Sequence, residues 1–221
     1  MSKKNVPLLM SAAGVIGGFF EKLVAKAKAL GILDQLHELM VGDRSEEFIG
    51  QVVDLAMKIV NKASMSFPVF KTVTLGAYDS IKAYRKALKE AGFRIGDWAS
   101  DILDKIQVSR ERVQLDLVKV TVKDLGFTES ASLKQIYAKA KELDLEMCPA
   151  EVGPALRLAY VDQSYGEWIY IAMEPITVSD GHLRLFEVSH DDDAPWLFSA
   201  YGGPDDIWLL GSSFVFVRFR K

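Results

Sequence analysis

The hydrophobic period of this chain changes once, near Pro154, and that change limits the folds open to it. Before it, apolar residues recur every three or four positions, as in helices with one buried stripe. After it they alternate, as in strands with one buried face. Phe19, Phe20, Leu23, Val24, Ala27 and Leu30 form a first stripe, with Glu21, Lys22, Lys26 and Lys28 turned away. Gly31 stops or kinks that helix. Ile32, Leu33, Leu36, Leu39 and Met40 form a second stripe, closed by Gly42. Ser45, Glu46 and Glu47 open a third helix, where acids suit the positive end of the dipole. Its apolar residues, Phe48 and Ile49 through Ile59 and Val60, nearly encircle it, so it is either buried or paired with another chain.

Asn61 to Pro68 reads as a connector, and Val69 to Leu75 as a short strand broken by Gly76. Asp79 caps a helix through Ile81, Tyr84 and Leu88 to Gly92, and a shorter helix carries Trp98, Ile102 and Ile106. Gln114 to Val122 is a strand by its β-branched content. Thr128 or Ser130 starts a helix with Leu133, Ile136, Tyr137, Ala140 and Leu143 inward. Beyond Pro154, five strands are expected, at Leu156–Val161, Glu167–Met173, Leu183–Ser189, Trp196–Ala200 and Ser213–Arg220. Turn residues separate them, such as Ser179-Asp180-Gly181 and Gly202-Gly203-Pro204, and short connections imply antiparallel neighbours. The expected architecture is α+β. A helical segment covers residues 1–65. An α+β domain covers 66–221, with an antiparallel meander of four to five strands at 154–221 packed with the preceding helix.

The formal charge is −3 over 221 residues, but it is unevenly spread. Residues 1–110 carry 16 Lys and Arg against 12 acids, and residues 111–221 carry 11 against 18. Nothing in that balance favours a nucleic-acid partner. The single cysteine, Cys148, cannot staple the chain, and this fits a reducing compartment such as the cytoplasm. No apolar stretch reaches the ~20 residues of a membrane span. Leu8 to Phe20 is uncharged and follows Lys3 and Lys4, the outline of a signal peptide or an interfacial helix. Gly14, Gly17 and Gly18 weaken it, and Lys26 and Lys28 interrupt the small residues that follow, so an ordinary buried helix is expected.

From about Phe70 onward the chain resembles a group of uncharacterised bacterial proteins. The resemblance rests on Ala91-Gly92-Phe93-Arg94-Ile95-Gly96-Asp97-Trp98-Ala99 and on Asp116-Leu117-Val118-Lys119-Val120. It continues in the run Cys148-Pro149-Ala150-Glu151-Val152-Gly153-Pro154 and again over Ile171 to Ile176. It implies a bacterial source and no particular activity.

Three constellations are candidates for chemistry. Cys148 can cap a helical turn with Pro149 first and Glu151 third, where the dipole favours a thiolate, and His182 or His190 can serve as its base. Against this, Met147, Val152 and Leu156 are apolar neighbours, and Glu146 and Glu151 disfavour a thiolate. Asp191, Asp192 and Asp193, with Asp180, His182 and Glu187 on the same or adjoining hairpin, offer oxygen ligands to a hard cation. No calcium-loop spacing is present, and a solvated turn is expected there. Tyr165, Trp168, Trp196, Tyr201 and Trp208 concentrate aromatic rings among acidic loops, as interfaces do, although a small sheet also needs rings for its core. Glu167 and Glu174 are seven residues apart, on opposite faces of a strand and about 23 Å apart, too far for glycosidase chemistry.

No phosphate-binding glycine loop, dinucleotide fingerprint or paired-cysteine zinc site is present, and no cofactor is implied. The expectation is a non-enzymatic protein-binding module that meets its partner through the aromatic C-terminal part and self-associates through its N-terminal helices. The alternative is a small enzyme with a pocket near Cys148, Glu151 and Arg157.

Overall fold

The computed structural model describes residues 18, 20–64, 67–191 and 194–218, with only the backbone described over 56–64. The uncharged stretch Leu8–Phe20 therefore lies outside the described residues except for Gly18 and Phe20. Contacts divide the chain into two compact units, Met1–Ser64 and Met65–Lys221.

In the first unit, helix α1 runs over residues 20–30 and ends where Gly31 takes φ +71°, a conformation that suits glycine. Helix α2, Leu33–Val41, ends at Gly42, whose N–H donates to the Glu38 carbonyl. Helix α3, Ser45–Ser64, opens with Glu46 and Glu47 in its first turn. Little of the apolar surface is buried here. Ala27 and Leu36 are covered, whereas Leu30, Ile49, Val53 and Leu55 are at least half exposed. No helix among the described residues is long and apolar enough to cross a membrane.

The second unit is built on one curled, mixed sheet. Its elements in order are β1 (Lys71–Leu75), α4 (Ile81–Glu90), β2 (Arg94–Ile95), α5 (Asp97–Lys105) and β3 (Val113–Thr121). There follow β4 (Ala131–Ser132), α6 (Leu133–Glu142), β5 (Leu145–Glu146), α7 (Val152–Ala159), β6 (Trp168–Ile171) and β7 (Ile176–Thr177). The last four are β8 (Leu183–His190), β9 (Pro195–Tyr201), β10 (Ile207–Trp208) and β11 (Ser213–Arg218). The strand order is β1-β3-β11-β6-β8-β9-β2, with β5 also on β11 and β7 also on β8. Local sequence explains the helix starts. Ser80 rather than Asp79 caps α4, its hydroxyl accepting from the Ala83 amide, and α6 starts from Ser132 rather than Thr128 or Ser130, with Gln135 closing a capping box.

Two further expectations need correction. Leu156–Val161 is not a strand; its first residues belong to α7. The run Ala155-Leu156-Arg157-Leu158-Ala159 is made of good helix formers, and the Val152 amide donates to the Pro149 carbonyl as the turn begins. The sheet is mixed rather than an antiparallel meander. β6, β8 and β9 are antiparallel neighbours, but β11 runs parallel to β6 and antiparallel to β3. The segment between β9 and β11 is long enough to cross the sheet, and on the way β10 pairs with β4 outside it.

The two faces are covered differently. Phe186 and Arg184 face α7 and α5: the Phe186 ring fills the space a side chain on Gly153 would need, and the Arg184 guanidinium lies 4.7 Å from the Trp98 ring centroid. The opposite face carries Phe214 and Phe216, packed against Trp208 of β10 and Tyr137 of α6. That second layer reaches across β3, β11 and the near edge of β6. Beyond it, Trp168 and Phe198 are 53% and 43% exposed.

Candidate functional site

Register determines what the open part of the sheet presents. Ser189 on β8 sits opposite Trp168 on β6 and opposite Trp196 on β9. One pair down the same face, Glu187 sits opposite Tyr170 and Phe198. Directly paired residues share a face, and diagonal neighbours are within reach of large side chains. Glu187 is therefore surrounded on its face by four aromatic residues, two beside it and two at the diagonals. Strands are spaced ~4.8 Å apart, so the backbones of Trp168 and Trp196 stand about 10 Å apart on either side of Ser189, which is itself buried. The Trp196 and Phe198 rings meet edge-on at 5.8 Å. The Trp196 indole N–H donates to Asp191 Oδ1 at 2.8 Å, and the Arg94 guanidinium lies 5.3 Å from the Trp196 ring centroid.

Glu187 is 4% exposed, and burial pushes its carboxyl up to about 7; the Ser189 hydroxyl opposes that shift, and Asp191 adds to it. Because the folded carboxyl holds its proton above the ordinary value of 4.5, stability is fully present below that value and is lost as pH rises through about 7. The loss amounts to about 3 kcal/mol. Urea unfolding is expected to show the parent losing stability between these two pH values, with the Glu187→Gln variant losing much less. Equal slopes in both proteins would show that Glu187 does not titrate in this way.

The other candidate residues lie elsewhere. Cys148 is buried, donates to the Val215 carbonyl at 3.4 Å, and has a thiol pushed well up by burial. A desolvated thiol resists ionisation. His182 is exposed beside Asp180 and the Tyr201 ring, and His190 Nδ1 meets the Gln163 carbonyl at 2.7 Å. Glu151 and Arg157 are 3% and 0% exposed and bond to neighbouring segments. Trp208 is buried against Tyr170 and Phe214. Tyr165 is 67% exposed near His190. Tyr201 is also exposed, but it pairs with Arg184 and so points to the face opposite Trp196.

Asp192 and Asp193 lie outside the described residues, and Asp191 is engaged by Trp196. Among the described residues no group of three His, Cys, Asp or Glu side chains is placed to hold a metal ion. Two cavities of about 680 and 320 Å³ flank Tyr137 and Glu174 beside α6, but the Tyr137 hydroxyl is already engaged with the Met173 carbonyl at 2.9 Å.

The sequence singled out Trp168 and Trp196 but not their partners Ser189, Phe198 and Arg94. The pairing of β6 and β9 to a common strand is what joins them, and no local pattern carries that. Set beside known protein families, curated proteins and solved structures, the chain matches none of them.

Proposed function

We propose that the second unit is a non-enzymatic protein-binding module, and that it meets its partner through the aromatic face of β6, β8 and β9. One observation carries this: Trp168 and Phe198 stay half exposed on a regular sheet face, in register around a buried acid, where a layer of covering structure would otherwise lie. Large aromatic side chains anchor interfaces because they bury much area at little cost in side-chain freedom. The sequence resemblance implies a bacterial source, and the lone cysteine suits a cytoplasmic setting. The alternative, an enzyme built on Cys148, Glu151 and Arg157, loses support because all three side chains are buried and engaged in the core.

The test compares full-length protein with the double variant Trp168→Ala, Phe198→Ala as baits in a lysate of the source cell. A stoichiometric protein captured by the parent and lost by the variant is the expected result. A partner held equally by both, or none held by the parent, overturns the proposal.

The first unit supports a companion role in self-association. Its helices leave Leu30, Ile49, Val53 and Leu55 at least half exposed, and a second copy would cover them. Sedimentation equilibrium should give a concentration-dependent dimer or higher species that Ile49→Glu with Val53→Glu converts to monomer. A monomeric parent at all concentrations would end this part of the reading.

A further inference from the structure

The aromatic face carries more information than exposure alone. Residues 161–210, which supply β6 to β10, contain ten Asp and Glu against one Lys or Arg, Arg184, although Asp162 and Glu167 are paired with Lys71 and Lys119 from outside the segment. Arg184 is not available at this face. Its side chain is 8% exposed, pairs with Asp180 at 2.9 Å and stacks against Trp98 and Tyr201 on the other side of the sheet. Glu187 has no Lys, Arg or His within ion-pair distance among the described residues. A buried carboxyl with no cation beside it is a costly arrangement that an incoming cation relieves. Next to it stand indole faces of the kind that attract cations. The molecule itself supplies one instance, since the Arg94 guanidinium from β2 already lies against the Trp196 ring.

We infer, on the basis of the protein-binding role proposed above, that the partner is a basic polypeptide segment, one of whose Lys or Arg side chains lies across the exposed Trp168 and Phe198 rings, over the buried Glu187. The aliphatic stem of such a side chain lies along ring surface while its charged end finds the acid. The surface is an open sheet face rather than an enclosed cavity, which suits a macromolecule better than a small cation. The acidic surroundings repel a polyanion, so a nucleic-acid occupant is disfavoured by the same charges.

The experiment uses full-length protein, with an acetylated alternating Ala-Lys peptide as probe and an alternating Ala-Glu peptide as control. Binding is followed by the indole N–H resonances at physiological salt. The Ala-Lys peptide is expected to shift the Trp168 and Trp196 signals, and the Ala-Glu peptide to leave them in place. Glu187→Gln should weaken binding at least ~10-fold. Asp205→Asn, which removes one charge from the same acidic segment at an exposed position, should weaken it less than about two-fold. Equal losses in the two variants would reduce the effect to general electrostatic attraction and overturn the inference. Unmoved indole signals would overturn it too, and if Trp168→Ala with Phe198→Ala still released the captured protein, the binding proposal would stand without it. Should that double variant retain the captured protein, the binding proposal falls and takes this inference with it.

Discussion

Replacing Arg157 with leucine is expected to cost about 3–5 kcal/mol of stability, enough to unfold much of the second unit. Arg157 is wholly buried, and its guanidinium donates to the Gln163 side-chain carbonyl, the Tyr160 carbonyl and, at 3.2 Å, the Ser189 carbonyl. The Phe93 ring lies 4.6 Å away on one side. Among the described residues no carboxylate bonds to it directly; neutral acceptors hold the charge. Burial lowers its pKa to about 10, against the fields of Tyr160 and Glu167. Removing the guanidinium strands several buried acceptors at once, each worth about 1–3 kcal/mol unpaired. Gln163 is left worst, because its amide also ties the Glu167 and Val188 carbonyls. Lysine should not rescue the site, since a single ammonium cannot reproduce a planar fork. Urea denaturation at neutral pH measures the loss, and a midpoint unchanged in Arg157→Leu would show that the hub is dispensable.

Glu151→Ala is expected to cost a similar amount, about 4 kcal/mol, by a different route. One carboxylate oxygen accepts from the Gly76 amide at 2.7 Å and the Tyr84 hydroxyl at 2.8 Å, and the other accepts from the Ser109 amide at 2.7 Å. These donors come from the turn after β1, from α4 and from the loop after α5. A single acid at the start of α7 therefore gathers three segments distant in sequence. The turn is itself specialised, for Gly76 takes φ +63° against the Glu111 backbone and a side chain there would collide with it. Alanine leaves two backbone N–H groups without partners. Glutamine should lose about half as much, since its carbonyl keeps some of the bonds while its NH2 faces a donor. Hydrogen exchange at Gly76 and Ser109 gives a local readout: both amides should lose protection in Glu151→Ala before the sheet does. Retained protection there would place the carboxylate outside the support of these turns.

Much of the fold was legible where one period governed an element. β1 and β3 were readable from alternation and β-branched content, and α6 from an apolar stripe with lysines opposite. α7 was misread because a short buried helix is apolar on every side, which removes the period that would distinguish it from a strand. Val152 through Arg157 are all buried. The two-residue strands β2, β4, β5, β7 and β10 are too short to carry any pattern. The site was half legible. Trp168 and Trp196 stood out as aromatic residues, but their apposition depends on two strands pairing with β8. Glu187 was named only as a possible cation ligand, and its burial was hidden for a related reason. Arg184, Leu185, Phe186, Glu187, Val188 and Ser189 are buried on both faces of the sheet, so alternation gives no sign that an acid points inward.

The position of β11 sets a limit on when this unit can form. It lies between β3 and β6, joining Leu117 to Val217 and Ile169 to Ser213, so it completes both halves of the sheet. A chain emerging from the ribosome would hold β1, β3, β6, β8 and β9 without the strand that unites them. Closure then depends on contacts about a hundred residues apart in sequence, the kind that slow folding and expose unpaired edges in the interim. A nascent chain stalled before Ser213 is thus a candidate for chaperone capture, whereas one released after Arg218 can zip both edges in a single step.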